Sequence, residues 1–197
     1  ARGLSRFGFD AEMPTLYVTG GARGAQALNQ RIEALLPSLL EQCQVIHQTA
    51  PSAMNGDIDR LRAARESWPS HLKARYHVTE FIGEELRDVY AMADLVVGRA
   101  GAGTVAELAA LGKPSLLIPL PQSGGGEQDV NAKLMQTAGA AIVLAQPQAT
   151  PDRLKLEILG LLRNPCELGS MAAAAVAVGK VDAASRLADE LLRLSRR

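Results

Sequence analysis

The sequence predicts an α/β protein: a six-stranded parallel sheet with helices on both faces. Two observations carry that expectation. Six short apolar runs rich in β-branched residues alternate with stretches of helical periodicity, the pattern of repeated βα units. The runs are also nearly continuous in apolar residues instead of alternating with polar ones, as in strands buried on both faces. At 197 residues, 47% of them hydrophobic, the chain can bury a core of its own.

The first strand is Thr15 to Gly20 (TLYVTG), stopped by glycine. Ala25 to Gln42 places Leu28, Ile32, Leu35, Leu36, Leu39 and Leu40 on one face and predicts a single helix. CQVIHQT is the second strand, Gly56 to Trp68 a polar, arginine-rich helix, and ARYHVTEF the third strand. Glu84 to Met92 is a short helix, DLVVGR the fourth strand, and Thr104 to Leu111 the helix that follows it. PSLLIPL is the fifth strand, Gln128 to Ala138 a helix and AAIVLAQ the sixth strand. Thr150-Pro151-Asp152 opens a helix with proline in its first turn, and the rest of the chain reads as helical. Strands of this kind are usually ordered 3-2-1-4-5-6, a Rossmann-like sheet.

Composition narrows the function. Positive and negative side chains balance at 21 each, which argues against a nucleic-acid partner, since phosphate binding shows as a basic excess. Cys43 and Cys166 lie far apart with no metal-ligand spacing and read as free thiols of a reducing compartment. No apolar run reaches the roughly 18 residues of a spanning helix, and no secretory signal is legible. The chain opens without methionine, which predicts a piece of a longer protein.

Glycine-rich turns follow three strands: GGARGA (Gly20–Ala25), RAGAGT (Arg99–Thr104) and PLPQSGGGEQ (Pro119–Gln128). In the expected strand order the first and fourth strands are neighbours where the winding reverses, and open sheets bind ligands in that crevice. Glycine admits a ligand to the backbone, and a helix beginning there offers free N–H groups and a positive dipole end. The predicted ligand is an anion such as a phosphate or diphosphate.

Each motif has a plainer reading. Thr104-Val105-Ala106-Glu107 matches a capping box, in which Glu107 folds back onto its own helix end until a ligand draws it away. GAGTVA also fits a dinucleotide fingerprint, but it follows a middle strand and the next strand ends in IPLP, with no acid for a ribose. Gln128 and Asn131 share a helix face and suit sugar hydroxyls; the other reading is helix capping by Glu127 or Gln128. His47, His71 and His77 are scattered and no Ser-His-Asp set is legible, so no catalytic residue is assigned to this chain. Arg60, Arg62 and Arg65 read as a solvated face.

At these residues the sequence resembles a known family. VTGGARGAQALNQ, VTEFIGEELRDVYAMADLVVGRAGAGTVAELAALGKPSLLIPLP and EQDVNA are similar to the carboxyl-terminal domain of the MurG family. These are inverting GT-B transferases that move N-acetylglucosamine from its UDP donor to a lipid-linked N-acetylmuramyl-pentapeptide in peptidoglycan synthesis. The resemblance spans nearly the whole chain. It implies that residues 1–197 form one donor-binding domain, the C-terminal half of a GT-B fold, with a 181–197 helix packing on an amino-terminal domain absent here.

It also implies roles. Glu107 would accept hydrogen bonds from the ribose hydroxyls. Ala102, Gly103, Thr104, Val105 and Ala106 would meet the diphosphate and sugar. Backbone at Ile82 would contact uracil, Gln128 and Asn131 would read sugar hydroxyls, and Gly21, Ala22 and Gly24 would line the cleft. Two departures leave the donor sugar open: Ala22 stands where the family usually has serine, and Glu127 puts a carboxylate beside the sugar.

The family's catalytic base belongs to the amino-terminal domain. No metal and no cofactor are expected, because backbone amides and a helix dipole stabilise the leaving diphosphate. The implied partners are a UDP-sugar donor and a lipid-linked or other acceptor held by the amino-terminal domain. The implied location is the cytoplasm, with peripheral association at the inner membrane face left open. Three alternatives stand beside this reading: a relative with another sugar or acceptor, a stand-alone donor-binding subunit that needs a partner chain, and a UDP-sugar epimerase.

Overall fold

A computed structural model describes residues 2–21, 24–179, 185, 188–189 and 192–194. In chain order it contains α1 (Arg2–Phe7), β1 (Thr15–Thr19), α2 (Gln26–Glu33), α3 (Leu36–Leu40), β2 (Gln44–Gln48), α4 (Ser52–Asn55), α5 (Asp57–Glu66), α6 (Ser70–Ala74) and β3 (Tyr76–Thr79). There follow α7 (Leu86–Met92), β4 (Leu95–Gly98), α8 (Ala102–Ala110), β5 (Ser115–Leu117), a 3₁₀ turn (Gly124–Gly126), α9 (Glu127–Thr137), β6 (Ala141–Val143), α10 (Pro151–Leu162) and α11 (Pro165–Val178). The strands form one parallel sheet in the order β3-β2-β1-β4-β5-β6, as the sequence predicts.

Successive strand residues point to opposite faces. Leu16, Val18, Val45, Leu95, Val97 and Leu116 pack with Leu28 and Ile32 of α2, Leu36 and Leu40 of α3, and Leu154 and Ile158 of α10. Tyr17, Ile46, Val96 and Leu117 pack on the other face with Val89 of α7, Leu108 of α8 and Met135 of α9. Each fully buried leucine or isoleucine contributes about 1.5–3 kcal/mol relative to exposure, so both layers hold the central strands. This explains the continuous apolar runs.

The predicted helix from Ala25 to Gln42 is two helices. Leu35 N donates to Ile32 O at 2.8 Å in a tightened turn, and Pro37 enters the first turn of α3. Proline has no N–H to continue the ladder, so the apolar stripe is kept while the helix breaks. Similarly, the helical tail divides at Asn164, whose side chain accepts from Glu167 N at 3.2 Å ahead of Pro165. Helices α1, α4 and α6 have no counterpart in the sequence reading; at four to six residues they are too short for periodicity to register. The expected 181–197 helix lies outside the described residues apart from a few isolated positions.

A polar network runs through the core beside β2. His47 Nε2 lies 3.1 Å from Asn29 Oδ1 and its Nδ1 lies 3.0 Å from the Tyr76 hydroxyl. Asn29 Nδ2 donates to Asp57 Oδ2 at 2.7 Å and to Thr49 O at 3.2 Å. Burial pushes the His47 pKa down from 6.5 to about 3. The folded state therefore keeps His47 neutral, while the unfolded chain takes up a proton below its ordinary pKa. The stability this contributes is complete above about pH 6.5 and is lost as the pH falls toward 3, with a slope of at most about 1.4 kcal/mol per pH unit. Urea midpoints measured from pH 7 to pH 4 should fall less steeply for His47→Asn than for the parent chain; equal slopes would contradict it.

Candidate functional site

β1, β4 and β5 lie side by side, and the turns that leave their carboxyl ends meet above the sheet. They enclose a cavity of about 730 Å³ lined by Gly20, Gly21, Gly24, Arg99, Gly101, Thr104, Ser123, Glu127, Gln128 and Gln146, among others. The convergence expected from the glycine pattern is therefore present.

The glycines serve different ends. Gly24 (φ +69°) could carry no side chain, because a Cβ there would lie 2.3 Å from Thr49 O. At Gly101 and Gly103 a Cβ would meet nothing within 4 Å, and Gly101 has ordinary extended backbone (φ −64°). Among the described residues, nothing requires glycine at these two positions. They leave open space at the tip of α8, where a ligand can approach the backbone.

Helix α8 begins earlier than the sequence suggests. Gly101 is its N-cap, no side chain caps it, and Thr104 is its third helical residue. The capping box is therefore not formed: Glu107 lies six residues beyond the cap and cannot fold back to it. Its Oε2 instead accepts a 2.8 Å hydrogen bond from the buried Tyr90 hydroxyl. Burial, and then the Glu107 carboxylate, push the Tyr90 pKa up, so the phenol stays protonated and keeps donating. The amides of Ala102, Gly103 and Thr104 precede the first helical bond, Val105 N to Gly101 O at 3.0 Å, and face the cavity end of the dipole.

The remaining expected site residues separate. Gly21, Gly24, Thr104, Glu127 and Gln128 line the large cavity. Ala102, Gly103 and Ala106 are exposed on α8, whereas Val105 is buried in the core and its amide is already bonded to Gly101. Val105 therefore offers a ligand neither side chain nor N–H. Glu107 lines a second cavity of about 510 Å³ with Tyr90, Arg87, Leu111 and Lys113. Ile82 is buried under the β3–α7 turn and lines a third, of about 140 Å³.

Gln128 Oε1 accepts from Leu120 N at 3.0 Å and Asn131 Nδ2 donates to Ala100 O at 3.1 Å; both brace the turns, and of the two Gln128 also lines the large cavity whereas Asn131 does not. Ala22 lies outside the described residues. Among the described residues, no group of three or more His, Cys, Asp or Glu could hold a metal ion, and no helix is long and apolar enough to cross a membrane.

Sequence reasoning missed two residues. Tyr90 looks like any aromatic on the inner face of a short helix, and only tertiary packing brings it to Glu107. Arg99 was legible as a charge at the end of an apolar strand, yet nothing local marks its burial. It is 7% exposed, and its guanidinium donates to Ile118 O (2.9 Å), Pro119 O (3.1 Å) and Gln146 Oε1 (2.7 Å), tying together the ends of β4, β5 and β6.

Residues 15–187 match the family model described as glycosyltransferase family 28 C-terminal domain. The UDP-N-acetylglucosamine--N-acetylmuramyl-(pentapeptide) pyrophosphoryl-undecaprenol N-acetylglucosamine transferase of Syntrophotalea carbinolica is 42% identical over 183 residues, 90% of this chain and 48% of that protein. The transferase of the same name from Acidothermus cellulolyticus is 38% identical over 191 residues, 96% of this chain and 50% of that protein. The chain thus spans about half the length of these curated relatives. Among solved structures it superposes on Acinetobacter baumannii MurG with a TM-score of 0.78 and 28% identity, covering 92% of this chain and 52% of that one. A UDP-GlcNAc 2-epimerase from Neisseria meningitidis (TM-score 0.64, 14% identity, 98% of this chain and 48% of that one) shares the fold.

Proposed function

Because the chain belongs to the glycosyltransferase family 28 C-terminal domain family, we propose that it is the donor-binding half of an inverting transferase that moves N-acetylglucosamine from UDP-N-acetylglucosamine to a lipid-linked acceptor in peptidoglycan synthesis. The observation that carries the reading is the large cavity at the start of α8, where three glycine turns meet uncapped helix amides. That arrangement suits a diphosphate. Glu107, one helical turn further on, supplies acceptors for the ribose hydroxyls, and Gln128 and Asn131 offer amides to the sugar.

In the whole enzyme an acceptor hydroxyl attacks the anomeric carbon. A new C–O bond forms there as the bond to the diphosphate oxygen breaks, and negative charge grows on the departing UDP. Fixed N–H dipoles aimed at that charge lower the barrier without a metal. The base that takes the acceptor proton, the acceptor site and any peripheral contact with the cytoplasmic membrane face are assigned to the amino-terminal half.

Glu127 favours a second reading for the donor sugar alone. Its exposed carboxylate lines the cavity and suits a sugar that turns a hydroxyl donor toward it. Titrating the chain with UDP, UDP-N-acetylglucosamine, UDP-glucose and ADP, followed by calorimetry, tests both readings. Binding that requires uridine supports the proposal, and indifference between UDP and ADP would sink it. Tighter binding of another UDP-sugar would move the donor assignment to the second reading.

A further inference from the structure

Among the described residues, Arg99 is a buried cation without a counter-ion. Among the described residues all three of its hydrogen-bond acceptors are neutral: the carbonyls of Ile118 and Pro119 and the amide oxygen of Gln146. A guanidinium cannot shed its proton at any ordinary pH, and burying an unpaired charge is costly. Glu127, the carboxylate on the same cavity, is exposed and makes no hydrogen bond to Arg99. Burial lowers the Arg99 pKa, and among the described residues the charge that adds to this is a second cation, Arg31. Neutral acceptors hold the guanidinium in place without cancelling its field, and the cavity it lines is also where the α8 amides point.

We infer that Arg99 is a positioning residue that gives the glycine-lined cavity its affinity for a diphosphate, fixing the three turns and leaving one uncompensated positive charge behind them. The inference rests on the donor-binding reading for its ligand, but not for its physics. Arg99 donates its hydrogen bonds to the protein, so the ligand feels charge rather than a direct contact. An exposed arginine would be screened, whereas this one acts through low-dielectric walls and a fixed geometry.

The test is a charge ladder on the whole chain: uridine, UMP, UDP and inorganic pyrophosphate, titrated against the parent, Arg99→Met and Arg99→Lys. Arg99→Met is expected to weaken UDP at least about tenfold and UMP less, while uridine changes by no more than about twofold. Arg99→Lys, whose ammonium the same burial pushes toward its neutral form, is expected to bind UDP with an affinity between those of the parent and Arg99→Met. Arg99→Met loses three hydrogen bonds, so a merely structural residue would show equal losses for uridine, UMP and UDP; that result overturns the inference. If Arg99→Met does not fold, Arg99→Lys decides alone, and a folded Lys variant that loses affinity equally for uridine, UMP and UDP overturns it.

Pyrophosphate separates this inference from the functional proposal. A parent chain that binds pyrophosphate through Arg99 but ignores uridine would end the donor reading and keep this one. Uridine-dependent binding with no gain from added phosphates would do the reverse, and a parent that binds neither would end both.

Discussion

Glu107→Ala is expected to weaken UDP binding about ten- to a hundredfold, the effect of losing one hydrogen bond to a charged acceptor at about 1.5–3 kcal/mol. The carboxylate is exposed on α8, so its removal leaves no cavity in the core. Its orientation is set by the Tyr90 hydroxyl at 2.8 Å, which occupies one lone pair of Oε2 and leaves Oε1 unengaged by that bond. Tyr90 is edge-on to Tyr17, with ring centroids 5.6 Å apart, so the hydroxyl is held by packing and not by the ligand. A nucleotide bound as proposed would therefore meet a carboxylate already aimed. Repeating the titration with 2′-deoxy-UDP gives the discriminating result: the penalty of Glu107→Ala should shrink when the ribose hydroxyl is gone. An equal penalty for both nucleotides would remove Glu107 from the ribose and leave only its charge.

Gly24→Ala should be the more damaging change to the fold. The residue is in the left-handed region, and the added methyl would lie 2.3 Å from Thr49 O and 2.5 Å from Ala50 Cβ. Neither neighbour can retreat. Thr49 N is bonded to Thr79 O (3.0 Å), Asn29 Nδ2 holds Thr49 O, and Ala50 N is bonded to Glu80 O (3.1 Å). Ala50 is itself strained at φ +97°, a conformation kept only because those bonds overdetermine it. A loss of at least about 2 kcal/mol in unfolding free energy is expected, with weaker UDP binding as the turn shifts. Gly21→Ala is the control: its φ is +75° but a Cβ there meets nothing within 4 Å, so it should cost only about 1 kcal/mol. Denaturant midpoints for the pair check this, and equal midpoints would mean that backbone conformation alone, not contact with Thr49, sets the cost.

The sheet was legible because its strands are buried on both faces, and that burial writes itself into uninterrupted runs such as LVV at Leu95–Val97. Helix ends were less legible because local signals compete. Thr104 and Glu107 have the spacing of a cap, but Gly101 starts the helix sooner, and the box became two residues on successive turns. The convergence of the glycine turns followed from strand order. What the turns enclose did not: Arg99 is buried by segments 19 to 47 positions away in sequence, and Tyr90 reaches Glu107 across 17. Such contacts leave no period for a single sequence to display.

Thr104 and Glu107 are one turn apart on α8, with an axial rise of about 4.5 Å between them. The first lines the glycine-turn cavity and the second lines its neighbour. The helix therefore acts as a ruler. A molecule that carries its hydroxyls and its phosphates at the matching spacing engages both cavities at once, and the second contact forms at the high effective concentration set by the first. On the proposed donor reading, uridine and pyrophosphate added together as separate molecules lack that linkage and should fall well short of UDP, so that the domain would select for covalent connection as much as for either chemical group.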